Sequence, residues 1–203
     1  MPIATFLLIG VTVLVSWQAF NNRVLLDRLI LWPPAIDRNR QYDRLVTHGF
    51  IHADGQHLLF NMITLFFFGR AIEPVFVEKI GLVGFIAFYL SAIVIAILPT
   101  YMNHRHDSGY RSLGASGAVS AVLFSYILFA PWSLIYVFFL PVPAVLYAVA
   151  YIGYSIWMDR HGTDNVNHSA HLWGAAYGVM FTLLLEPDVL GLFMQRLMQP
   201  SFR

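Results

Sequence analysis

The sequence contains no cysteine. That excludes disulfides, thiolate nucleophiles and cysteine metal centres, and it leaves the redox compartment open. Charge is scarce as well. Asp, Glu, Lys and Arg make up 11% of the 203 residues, and 12 basic side chains nearly balance 11 acidic ones. A chain so balanced carries no electrostatic footprint for nucleic acid. It also lacks a basic patch interleaved with aromatics, a phosphate-binding glycine loop and a long-range repeat. His104-Arg105-His106 and His168-Ser169-Ala170-His171 have ligand-like spacings. No HExxH and no carboxylate cluster completes a zinc site around them. We expect no metal and no cofactor.

What is present is apolar. Hydrophobic residues make up 58% of the chain, far above a soluble domain of this length. The charges cluster between long gaps. Ile3 to Phe20, Leu58 to Gly69, Ile80 to Asn103, Ser112 to Met158 and Ser169 to Leu185 carry none. A bilayer core of about 30 Å takes roughly 20 apolar helical residues. Only helices or closed barrels cross it. These runs are continuous rather than alternating, which points to helices. The longest gap is too long for one span, and Pro131 and Pro141-Val142-Pro143 mark a turn inside it.

The fold expected is therefore an all-α membrane protein, a single domain over 1–203. Its six transmembrane helices fall near 3–20, 57–76, 80–101, 115–130, 141–158 and 169–186. The first segment has no basic flank, and Trp17-Gln18-Ala19-Phe20 is a poor cleavage site, so it reads as a retained span. The long connection over 21–56, with its RVLLDRLILWPP stretch, reads as an interfacial loop.

Six spans put the starts of the second, fourth and sixth helices on one side of the membrane. The polar oddities sit at those starts: His57 and Asn61, then Ser116, then His171. The fourth helix is about 15 residues, roughly 22 Å at 1.5 Å per residue. A helix that short starts below the surface, so Ser116 is sunk in the membrane region.

A serine hydroxyl is a weak nucleophile that needs a neighbouring base, and His171 is the candidate. The two can meet only across closely packed helices. Gly114, Gly117, Ala118 and Ala121 on one side, and Ala170, Gly174, Ala175 and Gly178 on the other, allow that approach. Taken singly, each feature has a bland reading. Gly174-Gly178 spacing is usually packing, and a serine at a helix start is usually a cap. Their coincidence at one depth favours chemistry. His57 and Asn61 share a helix face and can donate to an oxyanion, with the free Ser116 N–H beside them. No Asp or Glu stands near the three helix starts except Asp54, so a dyad is simpler than a triad. His48, His52, His104, His106, His161 and His168 are expected in loops or at interfaces.

HLLFN at 57–61, GASGA at 114–118 and AHLWG at 170–174, in this order on a six-helix core, resemble the rhomboid intramembrane serine proteases. Gly69 and Glu73 in FFFGRAIEP look like the family's second-helix Gly and Glu, and THGFIHADGQH leads in similarly. The resemblance covers nearly the whole chain. It implies hydrolysis of peptide bonds in or beside the transmembrane segments of substrate proteins. Ser116 is then the nucleophile and His171 the base and acid. His57, Asn61 and the Ser116 N–H form the oxyanion site, and Gly114 and Gly117 allow close approach.

Two departures accompany these matches. A first-loop Trp-Arg pair reads Asp43-Arg44 here, and a Tyr expected four residues after the nucleophile reads Ser120. Trp173 or Tyr177 is left to orient His171. The resemblance also implies a site on the extracytoplasmic side, in a bacterial cytoplasmic membrane. The arginines point the other way. Arg23, Arg28, Arg38, Arg40, Arg44, Arg105, Arg111 and Arg160 fall in outer loops, against Arg70, Lys79, Arg196 and Arg203 inside. The expected partners are the bilayer and transmembrane substrates, with no nucleic acid and no feature that specifies an oligomer. The alternatives are an inactive rhomboid-like protein that binds membrane clients, and a small transporter.

Overall fold

The computed structural model describes residues 1–137, 139–162 and 164–200; Arg203, counted above among the inner cations, lies outside the described residues. Helices occupy all six expected places. The first, α1 (Ile3–Phe20), coincides with the first uncharged run. Its start is held from a distance, because the Ala4 and Thr5 N–H groups donate to the two Glu73 carboxylate oxygens at 2.9 and 2.8 Å. The connection that follows is built from short helices: α2 (Arg23–Leu29), α3 (Pro33–Asn39) and α4 (Arg44–Thr47), then a 3₁₀ turn at His48–Phe50. Asn22 caps α2 by accepting from the Leu25 N–H at 3.0 Å. Arg44 is buried and ties this connection together. It donates to the carbonyls of Asp27 and Ile30 and to the Gln41 side chain.

Asp54 opens α5 (Gly55–Thr64) by accepting from the His57 N–H at 2.8 Å. A π-helical turn at Leu65–Gly69 leads straight into α6 (Arg70–His104). The second and third expected helices thus follow one another without an intervening loop, divided at Gly81. There the backbone takes φ +70°, which only glycine adopts cheaply. Next comes α7 (Ser116–Phe129), then the hairpin β1 (Leu134–Val137) and β2 (Leu140–Pro143), then α8 (Ala144–His161). The expected helix at 141–158 therefore starts three residues late. Pro141 and Pro143 pair with Tyr136 and Leu134 in the hairpin instead of entering a helix. The chain closes with α9 (His168–Leu185) and an unexpected α10 (Val189–Leu197), folded back at 114°.

The architecture is an all-α membrane bundle around α7. From Gly117 to Ser125 every residue of α7 is buried, and no face is polar, which is the signature of a central helix. Helices α6 and α9 pack against it. Phe76, Phe85, Phe88 and Tyr89 fill the core on the α6 side. Among the described residues, Ile3–Phe20 and Gly55–His104 are each long and apolar enough to cross a membrane, and bent α9–α10 adds a third if taken as one span. Helix α7 is apolar but shorter.

Candidate active site

The starts of α5, α7 and α9 converge. The contact between α7 and α9 is backbone to backbone: a Cβ on Gly174 would overlap the Gly117 carbonyl oxygen, and one on Gly178 would overlap that of Ala121. Gly117 itself sits against Ala96 and the Ala170 carbonyl. Ser116 and His171 therefore occupy facing turns of touching helices. No hydrogen bond joins their side chains among the described residues.

On the other side of Ser116, Gly114 meets the His57 ring. Its φ is +117°, and a Cβ there would fall 2.7 Å from His57 Cε1. A side chain at 114 would thus be strained and would also push His57 away. The Ser116 N–H lies in the first helical turn, where it has no intrahelical acceptor. Asn61 is buried and spends one amide hydrogen on the His57 carbonyl at 2.9 Å, which leaves the second free to donate. A cavity of about 20 Å³ adjoins Ser116, lined by His48, Ser112, Gly114, Gly117, Asn167 and Ala170 among others. That is room for one water molecule.

Three histidines expected in loops or at interfaces are buried: His48, His52 and His168. Their placement follows from the partners they find. The Ala115 N–H donates to His52 Nε2 at 3.3 Å, so Nε2 carries no proton. The neutral ring must then hold its proton on Nδ1, which donates to Ser16 Oγ at 3.0 Å. The Ser16 hydroxyl in turn donates to the Phe50 carbonyl, also at 3.0 Å. This directional chain ties α1 to the residue before Ser116. Burial, with His57 nearby, pushes the His52 pKa down to about 3. His48 donates from Nδ1 to the Arg44 carbonyl at 3.0 Å, while its own carbonyl accepts from the Gly114 N–H at 2.9 Å. Burial pushes its pKa down to about 4. The sequence signal for both is the THGFIHADGQH lead-in, which by itself carries only a likeness.

His171 lies between two rings. Tyr151 of α8 stacks on it at 5.8 Å and 24°, and His168 meets it edge-on at 5.7 Å. Among the described residues, neither residue invoked from the sequence to orient His171 stacks on it. Trp173 is half exposed, and Tyr177 stacks on Phe88 with its hydroxyl on Ser91 at 2.6 Å. Asn167 pins the start of α9. Its Oδ1 accepts from the Ala170 N–H and from Thr100 Oγ1, and its Nδ2 donates to Tyr110 and Ser112. Among the described residues no group of three or more His, Asp or Glu could hold a metal ion.

Residues 39–187 match the model of the Rhomboid domain. Similar curated proteins include "RHOMBOID-like protein 12, mitochondrial" of Arabidopsis thaliana, 36% identical over 176 residues. That match covers 81% of this chain and 52% of the relative. "Putative rhomboid protease YdcA" of Bacillus subtilis (strain 168) is 30% identical, over 62% of this chain and 61% of the relative. "Presenilin-associated rhomboid-like protein, mitochondrial" of Rattus norvegicus is 34% identical, over 65% and 35%. The chain thus spans about a third to three fifths of the length of these relatives.

Proposed function

We propose, from the premise that this chain belongs to the rhomboid family, that it is an intramembrane serine endopeptidase working through a Ser116–His171 dyad. The observation that carries the reading is the convergence of three helix starts. Gly114 lies against His57, and Gly117 against Ala170 and Gly174, so serine, imidazole and oxyanion donors share one end of the bundle.

In the reaction, Ser116 Oγ attacks the scissile carbonyl carbon and its proton passes to His171. The oxyanion takes hydrogen bonds from the Ser116 N–H, a His57 ring N–H and the second Asn61 amide hydrogen. The intermediate collapses, and the leaving amine takes the proton from His171. A water, for which the cavity beside Ser116 has room, then attacks the acyl-serine with His171 again as base. The carboxylic acid leaves and the hydroxyl is restored.

The substrate class is a transmembrane segment presented within the bilayer. The proposal includes one domain over 1–203, six spans, a long interfacial connection, and a site facing outward from a bacterial cytoplasmic membrane. The cysteine-free sequence makes orientation easy to test. Arg38→Cys, at an exposed position of that connection, should react with an impermeant maleimide from outside intact cells. Reaction only after lysis would invert the topology, as the arginine distribution favours.

The test of chemistry is direct. In proteoliposomes Ser116→Ala should lower cleavage of a transmembrane substrate by about a thousandfold or more, with insertion and melting unchanged. A fluorophosphonate should label Ser116 in the parent protein and not in His171→Ala. Full cleavage by Ser116→Ala sinks the proposal; a parent protein that takes no label and cleaves nothing favours the client-binding alternative.

A further inference from the structure

The structure couples the nucleophile's helix to the imidazole through a ring that belongs to neither. Ser120 Oγ lies 2.8 Å from the Ser116 carbonyl and 2.6 Å from the Tyr151 hydroxyl. A carbonyl only accepts, so the Ser120 O–H donates to the Ser116 backbone carbonyl oxygen, and the Tyr151 O–H donates to Ser120 Oγ. The phenol is therefore fastened to the turn that Ser116 heads. The same ring stacks on His171. It is backed by Phe124 of α7 at 5.6 Å and by Tyr147, one turn away on α8, at 5.8 Å.

Helix α8 has little else to hold it. Of its 18 residues only Ala144, Ala148 and Ser155 are buried. Leu146, Val149, Ile156 and Trp157 face outward, and Tyr154, half exposed, meets His168 edge-on at 5.6 Å. Ala144 and Ala148 pack with Leu123, Phe124 and Ala175. Tyr151 continues that row one turn on, at i+3 from Ala148, and is the large side chain that reaches the reacting pair.

We infer that Tyr151 is a positioning residue for His171, clasped by Ser120, and that the orientation of the base is set by how α8 is seated on α7 and α9. Rotation of the imidazole about χ2 sweeps it through the space that the ring fills. A seated α8 confines that rotation and aims a ring nitrogen at the serine. A displaced α8 takes the ring with it and leaves the base free. The inference rests on the Ser116–His171 reading above.

The experiment uses the full chain in proteoliposomes with a fluorogenic transmembrane substrate, and melting is measured on every variant. Tyr151→Leu should lower kcat about a hundredfold, with KM within about twofold, because it removes the stacked ring and not a substrate contact. Tyr151→Phe keeps the ring and should retain most of kcat, losing about fivefold. Ser120→Ala should lose the same factor, and the double variant should lose no more than either single one, since both break one bond. Ala148→Phe, which wedges α8 off α7 at the alanine row beside Phe124 and leaves the Ser120–Tyr151 bonding groups in place, should lower kcat nearly as far as Tyr151→Leu.

Full kcat in Tyr151→Leu overturns the positioning role, as does equal damage from Phe and Leu. Additive losses in the double variant overturn the clasp, and this cycle decides the matter if Tyr151→Leu fails to fold. Full kcat in folded Ala148→Phe overturns the dependence on α8. An active Ser116→Ala would instead remove the underlying reading, so the two failures are distinguishable.

Discussion

Two hydrogen atoms set the depth at which α9 packs. At Gly174 and Gly178 a methyl group would occupy the space of the Gly117 and Ala121 carbonyl oxygens, which belong to the central helix and cannot step aside. Overpacking of this kind costs about 1–3 kcal/mol when neighbours can yield, and rigid backbone yields least. Gly174→Ala should therefore lower the melting temperature in detergent and abolish fluorophosphonate labelling, because it parts the helices that carry Ser116 and His171. Gly153 is a matched control: it has open space around it, and the same substitution there should leave both readouts unchanged. Gly114 poses a different constraint. There the added carbon meets a ring that can swing away, but the backbone itself is left-handed. Gly114→Ala should cost less stability than Gly174→Ala and still displace His57. These glycines were legible in the sequence because a small-residue run on two helices has a physical use. His52 was not legible. One histidine among three in a polar lead-in carries no mark of the two groups, on Ser16 and Ala115, that its ring joins.

At the scale of elements, α1 depends on α6. The first N–H groups of a helix need acceptors, and no side chain in the first turn of α1 supplies one. Glu73 does so from 68 and 69 residues away, buried, with Gly69 letting Thr5 come close. Removing a carboxylate that satisfies two buried donors leaves both unpaired, at about 1–3 kcal/mol each. Glu73→Ala should therefore loosen α1 selectively. The expected signs are earlier proteolysis near the N-terminus and a lowered melting point; unchanged protease resistance would mean that α1 is held by packing alone. Glu73 holds only the start of α1, and Ser16 near its other end still ties it through His52 to Ala115, so fluorophosphonate labelling should outlast loosening of that start. The helical character of the expected stretches was readable because long charge-free apolar runs are rare by chance. The hairpin and α10 were not. Prolines announce a break without saying what replaces the helix. In the hairpin Pro141 and Pro143 face partners without needing to donate, a register that appears only once β1 is beside them. The aromatic missing at Ser120 was likewise invisible, since Tyr151 arrives from another helix 31 residues on.

Across the whole molecule, two neutral histidines outside the spans hold the connection over 21–56 against the helix that carries Ser116. His48 accepts Gly114 on its carbonyl, and His52 accepts Ala115 on its ring. Both have pKa values well below the ordinary 6.5, at about 4 and about 3, with burial as the main cause. The sign follows from which state takes the proton first. As pH falls through about 6.5 the unfolded chain protonates these rings while the folded protein keeps them neutral. Stability is thus complete above about pH 7 and is lost progressively as pH falls toward 4. Each such ring multiplies the unfolded fraction by about ten per pH unit once pH is below its unfolded value. Thermal melting in detergent between pH 7.5 and 4.5 should show a steep acid decline. His52→Gln removes one of the titrating rings while keeping an acceptor for the Ala115 N–H. It should melt lower than the parent at pH 7.5, and its melting point should fall less per pH unit. The two curves should approach each other near pH 4.5. Parallel curves would mean that His52 is not the group whose protonation opens the structure.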